Sequence, residues 1–308
     1  MNFGSFFLNG YIKKVNKRYF YSSKILNMAK SKFEYVRNFE REDKCLENCW
    51  IVVRIDGKAF HKFSDLHKFK KPNDERSLKL MTKSAVNVMS EFRDIIIAFG
   101  HSDEYSFVFK KDTSIYNRRG EKLVSLVTSL FSSSYVFFWD EYFPTKKPLY
   151  VPHFDGRVVL YPTDNNLKDY LSWRQADVHV NNLYNTCFWN LVINAGQTKA
   201  EAEKTLRGTL AADKNEILFQ KFNINYNFEP EIFRKGTTLV RKLVKLPKND
   251  DIRQVICAYH KDIIKNKFWE ENSEILQLKS PGIVPYEENI EYFEILKKSQ
   301  SEKSFEAD

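Results

Sequence analysis

Two acidic residues, Asp56 and Asp103, each stand beside a run of β-prone apolar residues: Val52-Val53-Arg54-Ile55-Asp56-Gly57 and Gly100-His101-Ser102-Asp103-Glu104-Tyr105-Ser106-Phe107. Carboxylates are hard oxygen donors, which magnesium prefers along with carbonyls, phosphate and water. Two such ions a few ångströms apart can activate an attacking hydroxyl and stabilise a leaving phosphate. A converging pair therefore points to phosphoryl or nucleotidyl transfer. Asp-Gly and Ser-Asp are also ordinary turn formers at strand ends. The metal reading thus requires the two carboxylates to meet in space, where they would repel each other without a cation. The Gly57 carbonyl is a natural further ligand, because a residue without Cβ allows close backbone approach. Strand alternation sends the adjoining Glu104 to the opposite face, so its candidate catalytic role is support or a further metal contact.

Positioning this pair is the task of the elements around it. Trp50 to Ile55 is a nearly continuous apolar run, as expected of a strand buried on both faces. Pro72-Asn73 opens a helix in which Leu78, Met81, Ala85, Val88, Met89 and Phe92 recur at helical spacing. Ile95 to Phe99 reads as a second strand, and Tyr105, Phe107 and Phe109 alternate with more polar neighbours in a third. A helix with Leu123, Val127, Leu130 and Phe131 on one side runs towards Trp139, and Phe154 to Tyr161 supplies a fourth strand before Pro162 and a cap at Thr163. The order β-α-β-β-α-β is that of ferredoxin-like and polymerase-palm sheets. A right-handed crossover makes the first two strands parallel, and the third is expected to insert between them, antiparallel to both. Asp56 closes the first strand and Asp103 opens the third, so both fall at the same end.

The fold class is therefore α+β: a polymerase-palm-like (ferredoxin-like βαββαβ) sheet with an additional, mainly helical C-terminal region. Helices are expected over 167–195, 199–206 and 209–222, a β-ribbon edge or a strand over 236–246, and a helix near 252–269. The expected divisions are a basic extension over 1–28, a palm-like catalytic region over 29–162, a helical region over 163–248 that completes the catalytic domain and binds RNA, and a charged tail over 249–308.

Gly57 to Lys71 has the character of a phosphate-binding loop: Lys58, Lys62, Lys68, Lys70, Lys71, His61 and His67 face one acid, Asp65. A helix beginning near Asn73 would add a favourable dipole end. No P-loop or G-x-G-x-x-G is present, and neither a nucleophile-elbow serine nor H-E-x-x-H. A lone histidine such as His179, in Asp177-Val178-His179-Val180-Asn181-Asn182, is more often a satisfied structural residue than a ligand. Ser172-Trp173-Arg174-Gln175 mixes stacking and charge, which suits RNA and equally a packed helix.

The 308 residues are 43% hydrophobic and 15% aromatic, enough for a substantial core. Of the formal charge of +9, five units come from Lys13, Lys14, Lys17, Arg18 and Lys24 in the acid-free first 28 residues. The global charge is thus weak support for a nucleic-acid partner. Cys45 and Cys49 have no second pair to complete a zinc site. No apolar run approaches the ~20 residues of a membrane span. The basic, aromatic N-terminus resembles a mitochondrial presequence, with Met28 as an alternative start; the expected location is cytoplasmic, mitochondrial or both.

Several of these segments resemble those of the tRNA-histidine guanylyltransferase family. They are Arg54-Ile55-Asp56-Gly57, Lys71-Pro72-Asn73-Asp74, Ser102-Asp103-Glu104-Tyr105-Ser106-Phe107, His179-Val180-Asn181-Asn182-Leu183-Tyr184-Asn185 and Gly208-Thr209-Leu210-Ala211-Ala212-Asp213-Lys214-Asn215-Glu216. The resemblance runs from about Ala29 to Lys245. It implies addition of one guanylate to the 5′ end of tRNA-His: ATP adenylylates the 5′-phosphate, the GTP 3′-hydroxyl expels AMP, and pyrophosphate is then removed. It also implies two or more magnesium ions on Asp56, the Gly57 carbonyl and Asp103. By the same resemblance GTP is surrounded by Asp56, Gly57, Lys58, Ala59, Phe60, His61, Ser102 and Asp103, with Lys71 on the triphosphate. His179, Lys214 and Asn225 are implied to handle tRNA or a second nucleotide, and the protein to be a homotetramer. His101 departs from the glutamine usual at its position. A palm-type nucleotide cyclase and a catalytically silent tRNA-binding protein are the alternative readings of the same residues.

Overall fold

The computed structural model describes residues 32–40, 43–245 and 251–295; the basic extension over 1–28 and the residues after 295 lie outside the described residues. Residues Glu34–Phe39 form a short, exposed 3₁₀ helix within a unit of their own. The rest begins with β1 (Trp50–Gly57), followed by the short α1 (Phe60–Leu66) and α2 (Glu75–Glu91). Next come β2 (Ile95–His101), β3 (Glu104–Phe109), α3 (Gly120–Phe137), α4 (Trp139–Tyr142) and β4 (Phe154–Tyr161). The helical region comprises α5 (Asp164–Ile193), α6 (Lys199–Leu206), α7 (Ala211–Phe222) and α8 (Glu231–Lys235). The chain then returns to the sheet with β5 (Thr237–Lys245), β6 (Ile252–Tyr259), α9 (Asn266–Glu271), α10 (Glu274–Gln277), β7 (Ile283–Pro285) and β8 (Glu291–Glu294).

The sheet order is β4-β1-β3-β2-β5-β6-β8, with β7 added parallel to β5. As expected, β3 lies between β1 and β2, antiparallel to both. One face buries Ile51, Val53, Ile55, Phe107 and Phe109 against Leu80 and Met89 of α2 and Leu123, Val127 and Phe131 of α3. The other buries Trp50, Val52 and Val108 under Leu167, Tyr170 and Leu171 of α5. Each such side chain, fully removed from water, contributes about 1.5–3 kcal/mol before ordering costs. Thr163 caps α5, its hydroxyl accepting from the Asn166 N–H at 3.1 Å. A third cluster, Leu183, Cys187 and Leu191 with Ala202, Leu206 and Leu218, holds α6 and α7 on the far half of α5.

One expectation fails here. The segment near 252–269 is not one helix: Ile252–Tyr259 is strand β6, with Val255, Ile256, Cys257 and Ala258 buried between β5 and β8. Pairing across the sheet overrides the weak local pattern. The strand expected over 236–246 is β5, an inner strand that joins β2 to β6. Leu246 lies outside the described residues. No helix among the described residues is long and apolar enough to cross a membrane.

Candidate active site

The ends of β1 and β3 bring the two aspartates together. Asp56 is the register partner of Glu104, and the Gly57 N–H donates to the Asp103 carbonyl at 3.0 Å. Ser102, at φ 52°, lets the chain reverse in two residues between β2 and β3, a left-handed conformation that costs a non-glycine residue energy. Its hydroxyl donates to the Asp103 carboxylate at 2.7 Å. Burial pushes the Asp103 carboxyl up to about 6, and Asp56 and Glu104 add to the shift against the Ser102 hydrogen bond. Burial and then Asp155 raise Asp56, opposed by Arg157, Arg54 and Arg174. A divalent cation would relieve the strain of these crowded carboxylates. A side chain at Gly57 would meet the Phe60 ring at 2.3 Å; glycine there serves packing as well as access.

Strand pairing decides which way each group faces. Asp56, Glu104 and Asp155 are register partners across β1, β3 and β4, and so are Arg54, Ser106 and Arg157 two residues away. All six lie on the face covered by α5, where the Tyr170 and Ser106 hydroxyls meet at 2.6 Å. Arg174 Nη1 donates to both Glu104 oxygens at 3.2 and 3.1 Å, and Nη2 to Asp177 at 2.8 Å. Arg54 Nε lies 4.0 Å from Glu104. Glu104 thus sits opposite the cleft described next, as alternation requires, tied to a buried arginine.

Beside Asp103 opens a cleft of about 590 Å³ between the strand ends, α1, the start of α2 and the far half of α5. Gly57, Ala59, Phe60, His61, Lys71, Ser102 and Asp103 line it, as does His101, whose ring burial pushes down to about 4. Asp56 and Lys58 are not among its lining residues. The Gly57–Lys71 loop contains helix α1, because Phe60 and Phe63 turn inwards onto Tyr135, Trp139 and Phe154. His67 is a packing residue rather than a phosphate contact: buried, it donates from Nδ1 to the Phe63 carbonyl and accepts the Leu149 N–H at Nε2. The start of α2 is closed by the chain itself. Asp74, buried, accepts from the Arg76 and Lys70 N–H groups and pairs with the Arg76 guanidinium at 2.9 and 2.7 Å. The dipole end expected to attract phosphate therefore already holds a carboxylate.

Lys71 also has an internal partner. Its ammonium lies 2.8 Å from Asp65 and 3.2 Å from the Ser64 hydroxyl, over the Trp189 ring at 5.1 Å. Lys199 approaches the same aspartate at 3.9 Å and the same ring at 5.4 Å. Asn73 donates to Asn182 and Asn182 to the Tyr226 hydroxyl, each at 2.9 Å, which ties the loop to α5. Asp65, Trp189 and Lys199 escaped the sequence reading; only the lone acid in a lysine-rich loop hinted at the first. The remaining candidates lie outside the cleft. His179 is exposed and packs edge-on to Tyr226, with its pKa lowered by burial and then by Arg234. Lys214 Nζ donates to the Thr209 carbonyl at 2.8 Å, and Asn225 accepts the Asn227 N–H at 3.1 Å.

Residues 33–162 match the family model described as tRNAHis guanylyltransferase, and residues 165–283 that of the Thg1 C terminal domain. A relative from Drosophila melanogaster, named probable tRNA(His) guanylyltransferase, is 59% identical over 256 residues, covering 83% of this chain and 88% of that protein. The crystal structure of the Saccharomyces cerevisiae tRNA(His) guanylyltransferase superposes with a TM-score of 0.66 at 53% identity, covering 68% of this chain and 93% of that one. A bacterial Thg1-like protein in complex with ATP shares the fold, with a TM-score of 0.64 at 21% identity, covering 80% of this chain and 99% of that one. The chain belongs to the tRNAHis guanylyltransferase family.

Proposed function

We propose that this protein adds a guanylate to the 5′ end of tRNA-His, with GTP as donor of the added nucleotide and ATP activating the RNA 5′-phosphate. What supports the reading is that Asp56 and Asp103 fall at the same end of adjacent strands and interact electrostatically, Asp103 lining a cleft of about 590 Å³, in a chain of this family. The donor set is two carboxylates and the Gly57 carbonyl, which suits magnesium ligated otherwise by phosphate and water. Among the described residues no group of three or more His, Cys, Asp or Glu is arranged to hold a metal ion; in this reading phosphate and water supply the remaining ligands. Bound there, magnesium would supply charge neutralisation for phosphate oxygens and lower the pKa of an attacking hydroxyl.

The chain's own residues then have separate tasks. The Ser102 hydroxyl orients the Asp103 carboxylate, and the Arg174–Glu104 pair fixes the end of β3 against α5. Lys71 exchanges Asp65 for the triphosphate; an ion pair this open to water is worth only about 0–1 kcal/mol, so the exchange costs little. Arg157 and Arg54, beside Asp56 on the α5 side, suit a second phosphate, that of the RNA 5′ end. His179, Lys214 and Asn225 lie on the surface of the helical region, within reach of a large RNA rather than of a nucleotide in the cleft. The exposed Phe137, Leu149 and Val151 suit subunit contacts in a homotetramer. In the same reading residues 1–28 direct the long form to mitochondria, and a form starting at Met28 stays in the cytoplasm.

The test is incubation with magnesium, ATP, labelled GTP and unguanylylated tRNA-His. Labelled RNA is expected from the native protein and none from Asp56→Asn or Asp103→Asn. A cyclic nucleotide product, or RNA binding without labelling, would refute the reading.

A further inference from the structure

Trp173 takes no part in the cleft, yet it is a large aromatic residue with 54% of its surface exposed on a rigid 30-residue helix. One face of its indole is covered by the Arg174 guanidinium, whose carbon lies 3.5 Å from the ring centroid. Tyr170 meets it edge-on at 6.3 Å and itself packs on Tyr161 at the end of β4. The ring is therefore held in place while its other side stays open to water. Arg174 links it to the carboxylates: the same guanidinium grips Glu104, the register partner of Asp56, and acts electrostatically on Asp56 itself. Trp173 thus stands one guanidinium away from the strand end that carries the acidic centre, on the α5 side and not in the cleft.

We infer that Trp173 is a stacking platform for a nucleobase at the end of the RNA strand being extended. The inference rests on the function proposed above and adds to it a named RNA contact. A nucleobase suits this place because an indole backed by a guanidinium offers a flat, polarisable surface that takes any base. An apolar protein partner would instead bury the surrounding charge: Arg157 is half exposed and, among the described residues, pairs with Asp155 at 3.1 Å. Such a partner would also have to desolvate Asp177, whose side chain is 42% exposed. A strand with a base for the ring and a phosphate for the neighbouring arginines leaves no charge stranded.

The experiment compares the native full-length protein with Trp173→Ala, Trp173→Phe and Trp173→Tyr. The probe is a 5′-monophosphorylated, unguanylylated tRNA-His transcript, and binding is measured without turnover by filter retention, beside steady-state kinetics. Trp173→Ala should weaken RNA binding and raise the KM for RNA about 10-fold, with kcat and the KM for GTP unchanged. Phe and Tyr should restore most of the affinity. The fluorescence difference between the native protein and Trp173→Phe should be quenched by the transcript. Equal RNA affinity for the native protein and Trp173→Ala overturns the inference. So does a change of oligomeric mass at equal RNA affinity, which would make Trp173 a subunit contact. Absence of labelled RNA from the native protein would instead sink the transferase reading, and the binding comparison would still decide this one.

Discussion

The two sides of the β1–β3 strand ends hold positive charge in opposite ways. On the cleft side Lys71 and Lys199 share one aspartate, Asp65, whose side chain is 47% exposed. On the α5 side Arg174 is 10% exposed and bound to two carboxylates through separate nitrogens. A lysine is a flexible point charge in a water-screened pair, whereas an arginine fork fixes direction as well as charge. In the proposed function the difference separates tasks: cations that a ligand would take over lie where it would enter, and the buried arginine holds the acidic centre in register.

The largest effect that tests this division is on chemistry. Asp56→Asn and Asp103→Asn should each reduce guanylylation at least ~10³-fold, the scale of lost transition-state electrostatics, read as label incorporated into tRNA-His. The metal-free Asp103→Asn protein should melt as high as the native one or a few degrees higher at pH 7. The carboxyl titrates near 6 because burial opposes its charge, so at pH 7 the native fold bears an ionised group that the amide lacks. A lower melting temperature would make Asp103 a structural residue.

Next in size is the buried arginine. Arg174→Ala leaves Glu104 buried without its partner and should cost about 3 kcal/mol in urea unfolding, and Arg174→Lys should recover little because the two-pronged geometry is lost. A cost below about 1 kcal/mol would place Arg174 with the surface lysines and erase the contrast. Lys71→Ala should do the reverse, raising the KM for GTP about 10-fold, one charge-assisted contact, with less than ~1 kcal/mol change in stability. Equal KM values would show that Asp65 never releases it.

The smallest effect concerns the closed start of α2. Burial alone would raise the Asp74 carboxyl, but hydrogen bonds from the Arg76 side chain and from the Lys70 and Arg76 backbone outweigh it, and its pKa is lowered. A lowered folded-state value adds stability that is fully present above the ordinary carboxylate pKa of ~4 and is lost as pH falls through the lower folded value. The native protein should therefore lose stability below about pH 4 more steeply than Asp74→Asn. Parallel acid limbs in urea titrations would show that Asp74 has no such role.

How much of this was legible depended on how local the cause was. Strands β1 to β4 showed in the sequence because each is a short apolar or alternating run bounded by turn residues. The crossover rules then sufficed to bring Asp56 and Asp103 to one end. Helix α1 was hidden inside a lysine-rich loop, since Phe60 and Phe63 declare themselves helical only against Tyr135, Trp139 and Phe154. Strand β6 was misread because Ile252–Tyr259 has no strong period, and its identity comes from β5 and β8 on either side.

The order of residues alone determined which groups are able to do chemistry: two aspartates at strand ends, a lysine-rich loop after the first, and family motifs in sequence. Folding decided which of those groups are free to do it. Glu104 meets Arg174 across 70 residues, and Asp65 holds Lys71 and Lys199 at once. Asp74 fills the helix start that a phosphate was expected to find. Such partnerships depend on distance and dielectric in three dimensions, and neither quantity is written along the chain.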